Sequence, residues 1–360
     1  MDDPPYGLRP STLVDERIAS TRNREQQKAR AAETRRIKAA RAASPPVDPA
    51  AYTPGIPSPK SSSGSSLCTG YTPADTPGVG SIPKWGTDAV PVITMLNQKG
   101  GVGKSSTCHH LSGTFAQMGR RVLCLDNDPQ SSLSQGFWGP IAARQIDPGE
   151  TMTALYAGYR PYPEQVIKPT GIEGIDLVPG SRLATDFNIP RPYEGAHEVQ
   201  TCIRNFLADV RDQYDLVLID CPPNLHMASW AALVASDFII VPLSPEDYAS
   251  QGLVDVQESI AMVQATMNPG LSLLGYVLTM VAPRRTIHQL YEERLRALYT
   301  SDVFSARVPE SVDYVEAIAR RQPIAQYKKN GAGAKAIRAL ADELETRVKA
   351  KLDATRTEAA

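Results

Sequence analysis

The sequence predicts an α/β protein whose doubly wound, mostly parallel sheet begins near residue 90. From Val90 onward, short runs rich in Val, Ile and Leu alternate with stretches of helical pattern. Runs that are apolar at every position suit parallel strands covered on both faces. A chain that alternates strands and helices places its site at the carboxyl ends of the strands, so the functional residues are expected there.

Six apolar runs are predicted to form strands. In chain order they read AVPVITMLN, RVLCLDND, GIDLVPG, DLVLIDCPP, DFIIVPL and LLGYVLTMVAP. The segments SSTCHHLSGTFAQMG and VQTCIRNFLADVRD are two of the helices expected between them. The folded domain is predicted to span residues 89–355.

Residues 1–88 differ in composition and are predicted to form a disordered extension. Between residues 9 and 41, ten Lys/Arg stand against four Asp/Glu, a local balance of +6. The Pro/Ser/Gly-rich run that follows cannot bury enough apolar surface to offset the entropy of ordering it. Two interpretations of the basic run stay open, a solvated charged arm and an auxiliary contact to nucleic acid.

Composition narrows the class of protein. The 360 residues carry a formal net charge of -1, so any surface that attracts nucleic acid must be local. Five cysteines without C-x-x-C spacing predict neither a disulfide framework nor a zinc site, which favours a reducing cytoplasm. No run of about 18 apolar residues occurs, so we expect a cytoplasmic protein without a membrane partner.

A phosphate-binding loop is predicted in LNQKGGVGKSS, residues 96–106. The pattern G-x-x-x-x-G-K-[ST] fails only at its first glycine, where this chain has Gln98. The glycines still let backbone N–H groups point inward at the start of a helix, where they can bind phosphate oxygens. Lys104 then supplies a positive charge and the Ser105 hydroxyl a ligand for Mg²⁺. The predicted nucleotide-binding residues of this loop are Gly100, Gly101, Val102, Gly103, Lys104, Ser105 and Ser106.

A second lysine, Lys99, is not required by an ordinary phosphate loop. With it the loop reads K-G-G-x-x-K-[ST] and resembles the deviant Walker A motif of the ParA/MinD superfamily of dimeric P-loop ATPases. The resemblance implies that ATP and Mg²⁺ are the cofactors and that ATP closes a sandwich homodimer. It also implies catalytic roles for both lysines, with Lys99 reaching the ATP of the partner subunit.

Two acidic motifs extend this resemblance. VLCLDNDPQSSLSQG resembles the second motif of the superfamily, which implies that Asp128 is catalytic and positions the attacking water. Asp126, at the end of the same strand, is expected to help organise the loop and the metal. DLVLIDCPPN resembles the Walker B stretch, which implies that Asp220 holds Mg²⁺ through a bound water.

The C-terminal half resembles the ParA-type, Soj-like partitioning ATPases, so the resemblance covers about residues 90–350. It implies adenine contacts from two strand ends and places Glu246 near the dimer interface. The adenine contacts are assigned to Thr279, Met280, Val308 and Pro309. In the family, basic residues just past the adenine segment grip DNA, whereas this chain has Glu310 and Asp313 there. DNA binding is therefore assigned to Arg284, Arg285, Arg320, Arg321, Lys328 and Lys329.

The implied function is ATP-dependent partitioning of plasmid or chromosomal DNA. The ATP dimer is expected to bind non-specific DNA on the nucleoid, and a ParB-like adaptor is expected to stimulate hydrolysis and release. The alternative is an ATP-switched adaptor that positions a non-DNA cargo. A MinD-like membrane helix is not expected, because the apolar stripe of the last helix lacks aromatic residues and suits core packing. Cys108, Cys124, Cys221, His109 and His110 are likewise expected to be buried.

Overall fold

The computed structural model describes residues 90–245 and 250–359, which form one eight-stranded sheet and the helices packed on it. The strands are β1 (Val92–Met95), β2 (Val122–Asp126), β3 (Lys168–Pro169), β4 (Ile175–Val178), β5 (Leu216–Asp220), β6 (Phe238–Leu243), β7 (Ser272–Val281) and β8 (Val303–Pro309). Across the sheet they lie in the order β3-β4-β2-β5-β1-β6-β7-β8, and only β3 is antiparallel to its neighbour. The predicted mostly parallel sheet is confirmed, whereas the predictions for residues 1–88 and for Glu246 lie outside the described residues.

Helices cover both faces of this sheet. The α-helices of the described residues are α1 (Lys104–Gln117), α2 (Ser132–Trp138), α3 (Pro140–Gln145), α4 (Met152–Tyr156), α5 (Pro163–Val166), α6 (His197–Gln200), α7 (Cys202–Val210), α8 (Met227–Ala235), α9 (Ser250–Thr266), α10 (Thr286–Tyr299), α11 (Val312–Ala319), α12 (Ile324–Tyr327) and α13 (Ala332–Ala359). One apolar layer joins the sheet to α1, α2, α11, α12 and α13, and the other joins it to α4 and α7 to α10. The doubly wound class is therefore confirmed.

The register of the central strands brings three strand ends level. Met95 of β1 pairs with Asp220 of β5, and Asp126 of β2 pairs with the same Asp220. The chain moves from β1 to β2 on one side of the sheet and later crosses to β6 on the other side, so β1 lies where the strand order reverses. In sheets of this kind such a reversal opens a crevice at the carboxyl ends of the strands.

The apolar stripe of α13 packs in the core, as predicted from its lack of aromatic residues. Ile337, Leu340, Leu344 and Val348 are completely buried in the same layer as α1. The three cysteines and the two histidines named above are buried as well. None of the described helices is both long and apolar enough to cross a lipid bilayer.

Three elements differ from the sequence prediction. The helix expected over VQTCIRNFLADVRD is divided at Thr201, where φ of -106° and ψ of 1° depart from helical values; its hydroxyl donates to the His197 carbonyl at 2.9 Å. The two-residue strand β3 is too short to leave an apolar run. The body of β8 was missed because it alternates, with Ser305 and Arg307 exposed between buried Phe304 and Val308, as an edge strand does.

Candidate nucleotide-binding site

The predicted phosphate loop connects the end of β1 to the start of α1. Gly101 and Gly103 have φ values of 77° and 84°, a left-handed conformation that side-chain-bearing residues adopt at a cost. Gly103 precedes the first helical residue, and its carbonyl accepts the N–H of Thr107 at 2.8 Å. The early N–H groups of α1 therefore face the carboxyl edge of the sheet, where a helix N-terminus favours anions.

Lys104 is buried and folds back over its own loop. Its Nζ donates to the carbonyls of Asn97 at 3.0 Å and Lys99 at 2.9 Å. Burial lowers the pKa of Lys104, and the charge of Asp220 opposes that shift. The Lys99 side chain is exposed on the outside of the same loop. The two lysines thus differ in setting, one held inside the loop and the other directed away from the core.

Asn97 contributes to this loop although sequence reasoning overlooked it. Its Nδ2 donates to the Pro242 carbonyl at 2.7 Å, and its Oδ1 accepts the N–H of Lys99 at 2.9 Å. The side chain therefore ties the loop to the end of β6. Its place at the end of the first strand was the available signal, since an amide there can satisfy loop backbone groups.

The predicted adenine segments lie at the ends of β7 and β8. The Thr279 hydroxyl is shared between the carbonyls of Val102 at 2.8 Å and Leu243 at 3.1 Å, so it fixes β7 to the phosphate loop. Met280 is 40% exposed and has a φ of 54°. At the end of β8, Val308 is buried and Pro309 half-buried. The structure thus places these segments on the same edge of the sheet as the loop.

Three carboxyl groups lie beside the phosphate loop. The Asp126 Oδ2 accepts from the Ser134 N–H at 2.7 Å and from its hydroxyl at 2.6 Å, which fixes the start of α2. Burial raises the pKa of Asp126 to about 7. Burial also raises the pKa of Asp128, while the Gln130 N–H, which donates to its Oδ1 at 2.8 Å, and the charge of Lys104 oppose the shift.

Asp220 is the least satisfied of the three. It is completely buried, and neither of its oxygens has a hydrogen-bond partner among the described residues. Burial and then the carboxylate of Asp126 raise its pKa well above the ordinary value, and the nearby Ser105 hydroxyl and Lys104 lower it in part. A buried ionised carboxylate without partners is costly. Its surroundings therefore fit a cation.

The residues at the carboxyl edge of the sheet suit Mg²⁺ that also binds phosphate and water, not a metal ion held by protein ligands alone. Within the described ranges, no three His, Cys, Asp or Glu side chains are arranged to hold a metal ion. Mg²⁺ commonly keeps several waters and takes one or two protein oxygens together with phosphate oxygens. The Ser105 hydroxyl and the Asp220 carboxylate are such oxygens, and both lie next to the phosphate loop.

Comparison with known proteins identifies the family. A family model described as an AAA domain matches residues 90–273. The chromosome-partitioning ATPase Soj of Thermus thermophilus is 35% identical over 259 residues, which cover 71% of this chain and 96% of Soj. The chromosome partitioning protein ParA of Myxococcus xanthus is 32% identical over 254 residues, 70% of this chain and 87% of that protein. This chain belongs to the ParA/Soj family of partitioning ATPases.

A solved structure supports the assignment at the level of the fold. Cobyrinic acid a,c-diamide synthase from Mycobacterium smegmatis, with bound ATP analog and magnesium, superimposes with a TM-score of 0.58 at 27% identity. The match covers 71% of this chain and 93% of the synthase. The expectation of a ParA/MinD-type fold with a deviant phosphate loop is confirmed.

Five of the six basic residues predicted for DNA binding in this ParA/Soj chain are exposed, and two of those five are paired with acids. Asp313 contacts the Lys328 Nζ at 2.9 Å, and Glu310 lies 3.7 Å from the Arg285 guanidinium. The two acids that depart from the family pattern therefore neutralise basic residues that sequence reasoning nominated. The other three exposed residues are Arg284, Arg320 and Lys329, and the Arg320 guanidinium lies 5.4 Å from the centre of the Tyr327 ring.

Arg321 has a different environment. Its Nη1 donates to the carbonyl of Gln135 at 3.2 Å and to that of Ile318 at 3.0 Å, and the side chain is half-buried. It joins α11 to α2 and lies against Gly139. Because its guanidinium is engaged inside the domain, Arg321 is poorly placed to reach a DNA phosphate.

Proposed function

We propose that this ParA/Soj chain is an Mg²⁺-dependent ATPase that hydrolyses ATP at the edge formed by β1, β2 and β5. The observation that supports this most is the buried Asp220, unpartnered beside Lys104 and the phosphate loop. A cation and phosphate would satisfy these charges together, since the metal meets the carboxylate and the phosphate meets the lysine. The folded domain, residues 89–355, would carry the activity by itself.

Each side chain has one role in this proposal. The N–H groups of residues 100–106 and the Lys104 ammonium bind the phosphates, while Ser105 would hold Mg²⁺ directly and Asp220 would hold it through a bound water. When bound, Mg²⁺ neutralises phosphate charge, and the rest of the catalysis is positioning and electrostatic stabilisation. Asp128 orients the water that attacks the terminal phosphate. Lys99, exposed on the loop, acts on the nucleotide of a second copy, so the homodimer forms only with ATP.

The ATP dimer is further proposed to hold non-specific DNA through its phosphates. Arg284, Arg320 and Lys329 are the exposed basic residues that support this, and each dimer would present them twice. Contacts to phosphates carry no sequence information and weaken as salt rises. A ParB-like adaptor would stimulate hydrolysis and release the dimer, which gives a nucleoid-associated protein in the cytoplasm.

A second function is favoured by the ion pairs on this surface. Asp313 and Glu310 cancel part of the charge that a DNA grip would use. A protein with this surface could instead use ATP as a dimer switch and position a non-DNA cargo on a protein track. The ATPase site would be the same in both cases, so only the bound partner distinguishes them.

Retention on DNA separates the two functions. The full chain is loaded with a slowly hydrolysed ATP analogue or with ADP and passed over random-sequence DNA at several salt concentrations. Retention only with the analogue, with log affinity falling by roughly 0.9 per log unit of salt for each phosphate contact, supports the partitioning function. Equal failure with both nucleotides, in a protein that hydrolyses ATP, supports the adaptor.

Two further proteins locate the contact. The double variant Arg320→Ala, Lys329→Ala should give a shallower salt dependence, whereas Lys349→Ala, which removes a lysine already paired with Glu345 on α13, should not. A chain lacking residues 1–88 tests the basic run of residues 9–41. If that deletion abolishes retention and the double variant leaves it untouched, the extension is the nucleic-acid contact and the ATPase surface is not.

A further inference from the structure

Asn127 occupies an unusual place between two functional carboxylates. It follows Asp126 at the end of β2 and precedes Asp128, and its side chain is buried. If this position served packing alone, an apolar side chain would be sufficient. An amide costs free energy in such a place unless its donors and acceptor are matched. The partners of Asn127 therefore indicate what the side chain does.

Asn127 is held by hydrogen bonds to three other segments of the chain. Its backbone N–H donates to the Asp220 carbonyl at 2.9 Å, and its Nδ2 donates to the Ala228 carbonyl at 2.7 Å. Its Oδ1 accepts the hydroxyl of Tyr156 at 2.6 Å. One residue thus joins the end of β2 to the end of β5, the first turn of α8 and the last residue of α4. Two of these elements, β2 and β5, carry Asp126 and Asp220 of the candidate site.

The environment of Tyr156 fixes its hydroxyl as the hydrogen-bond donor to this amide. The side chain is buried, its ring stacks on Phe187 at 6.2 Å with an interplanar angle of 21°, and burial raises the pKa of its phenol well above the ordinary value. The hydroxyl therefore keeps its proton. A fixed neutral donor opposite the Asn127 oxygen leaves the amide nitrogen to face Ala228, so the amide has one orientation.

The geometry points to a positioning pair: we propose that Tyr156 and Asn127 hold the peptide between residues 127 and 128 so that the Asp128 carboxylate lies correctly for hydrolysis. The inference rests on the proposed catalytic role of Asp128. Asp128 directly follows Asn127, whose side chain is anchored. The Asp128 carboxylate itself accepts a hydrogen bond from a near neighbour in the chain, the Gln130 N–H. Because a small displacement of a catalytic group can cost a large part of the rate, the anchor on its N-terminal side matters.

The pair should act on turnover and not on substrate affinity. Neither side chain is part of the phosphate loop, and the Lys104 ammonium bonds to the Asn97 and Lys99 carbonyls, not to either member of the pair. If the free energy of one lost hydrogen bond, about 1 kcal/mol, is added in full to the activation free energy, the rate falls about fivefold. We therefore expect Tyr156→Phe to lower kcat about fivefold while KM for ATP changes by less than about twofold.

The matched control is Tyr214→Phe. Tyr214 is also buried, and its hydroxyl donates to Asp176 Oδ2 at 3.0 Å on β4, away from the three carboxylates. Both variants delete one hydroxyl from a buried tyrosine, so a general loss of stability should appear in both. Unfolding midpoints are measured alongside steady-state ATP hydrolysis of the full chain.

Two double variants test whether Tyr156 acts through Asn127 and Asp128. With Asn127→Leu present, Tyr156→Phe should lower kcat no further if the two residues act as a unit. In the Asp128→Ala background, Tyr156→Phe should also have no added effect, whereas a purely structural role would lower the residual rate again. Either added loss overturns the proposal, and the single variant Asn127→Leu, which should also lower kcat with little change in KM, keeps it testable should Tyr156→Phe fail to fold.

The outcomes also separate this inference from the proposed function. If the wild-type chain hydrolyses no ATP, the ATPase proposal fails first. If the wild type turns over and Asp128→Ala does not, but Tyr156→Phe behaves like Tyr214→Phe, the ATPase proposal stands and the positioning pair is wrong.

Discussion

Asp126→Asn should remove a pH-dependent destabilisation of the nucleotide-free protein. Burial raises the pKa of this carboxyl to about 7 in the folded state, and two hydrogen bonds from Ser134 only partly oppose the shift. In the unfolded chain the carboxyl titrates near its ordinary value of about 4. Between these two values the folded protein keeps a proton that the unfolded chain releases, so folding becomes less favourable as the pH rises.

The magnitude follows from the width of that window. The stability contributed by Asp126 is fully present below pH about 4 and is lost as the pH rises through about 7. Each pH unit inside the window costs about 1.4 kcal/mol, so moving from pH 5 to pH 7 should remove about 2 kcal/mol from the free energy of unfolding. Asparagine retains an oxygen that can accept the Ser134 hydrogen bonds and does not titrate, so the variant should lack this loss.

The assay is urea unfolding at pH 5, 6 and 7, in EDTA and without nucleotide. Asp342→Asn serves as the control, because Asp342 is exposed on α13 and pairs with Arg338 at the surface. The control should follow the wild type, while the Asp126→Asn curve should become flatter. If the variant loses as much free energy as the wild type between pH 5 and pH 7, this carboxyl does not titrate there and the reasoning from burial is wrong.

Three other predictions concern the nucleotide and the DNA surface. Lys104→Ala should abolish ATP binding because the phosphates lose their buried positive charge. Lys99→Ala should still bind ATP, but in size-exclusion chromatography it should fail to dimerise with a slowly hydrolysed analogue. Normal dimerisation of Lys99→Ala would show that Lys99 does not act on the nucleotide of the partner subunit. Asp128→Ala should bind ATP and dimerise yet release phosphate far more slowly, since the carboxylate acts on the attacking water; unchanged turnover would exclude it. Asp313→Asn should free Lys328 and raise DNA retention at low salt, and unchanged retention would show that this lysine does not meet DNA.

The phosphate loop could be predicted from sequence because its chemistry is local. Gly101, Gly103, Lys104 and Ser105 are neighbours in the chain, and their conformations follow from the types of residue at each position. The strand ends that carry Asp126 and Asp220 could also be located, since each ends an apolar run. In a parallel sheet, strand ends that share an edge come together whatever the details of the loops.

Contacts between distant segments could not be predicted in this way. Tyr156 meets Asn127 across 29 residues, and nothing in the local pattern of either segment marks the other. The sequence predicts that Arg321 is an exposed cation, because a pair of arginines usually lies at the surface, but its guanidinium donates to carbonyls of α2 and α11. Periodicity predicts which face of an element is buried, not which partner a polar side chain finds there.

The acids past the adenine segment show how the two kinds of information combine. By sequence alone, Glu310 and Asp313 are departures from the family pattern, and nothing in it pairs them with the basic residues nearby. The structure pairs Asp313 with Lys328 and Glu310 with Arg285, so the departure and the nominated contacts are one feature. Exposed ion pairs contribute little to stability and exchange readily with other partners. A polyanion that contacts Lys328 or Arg285 has to displace the carboxylate paired with that residue, so its retention should depend on Asp313 as well as on the basic residues.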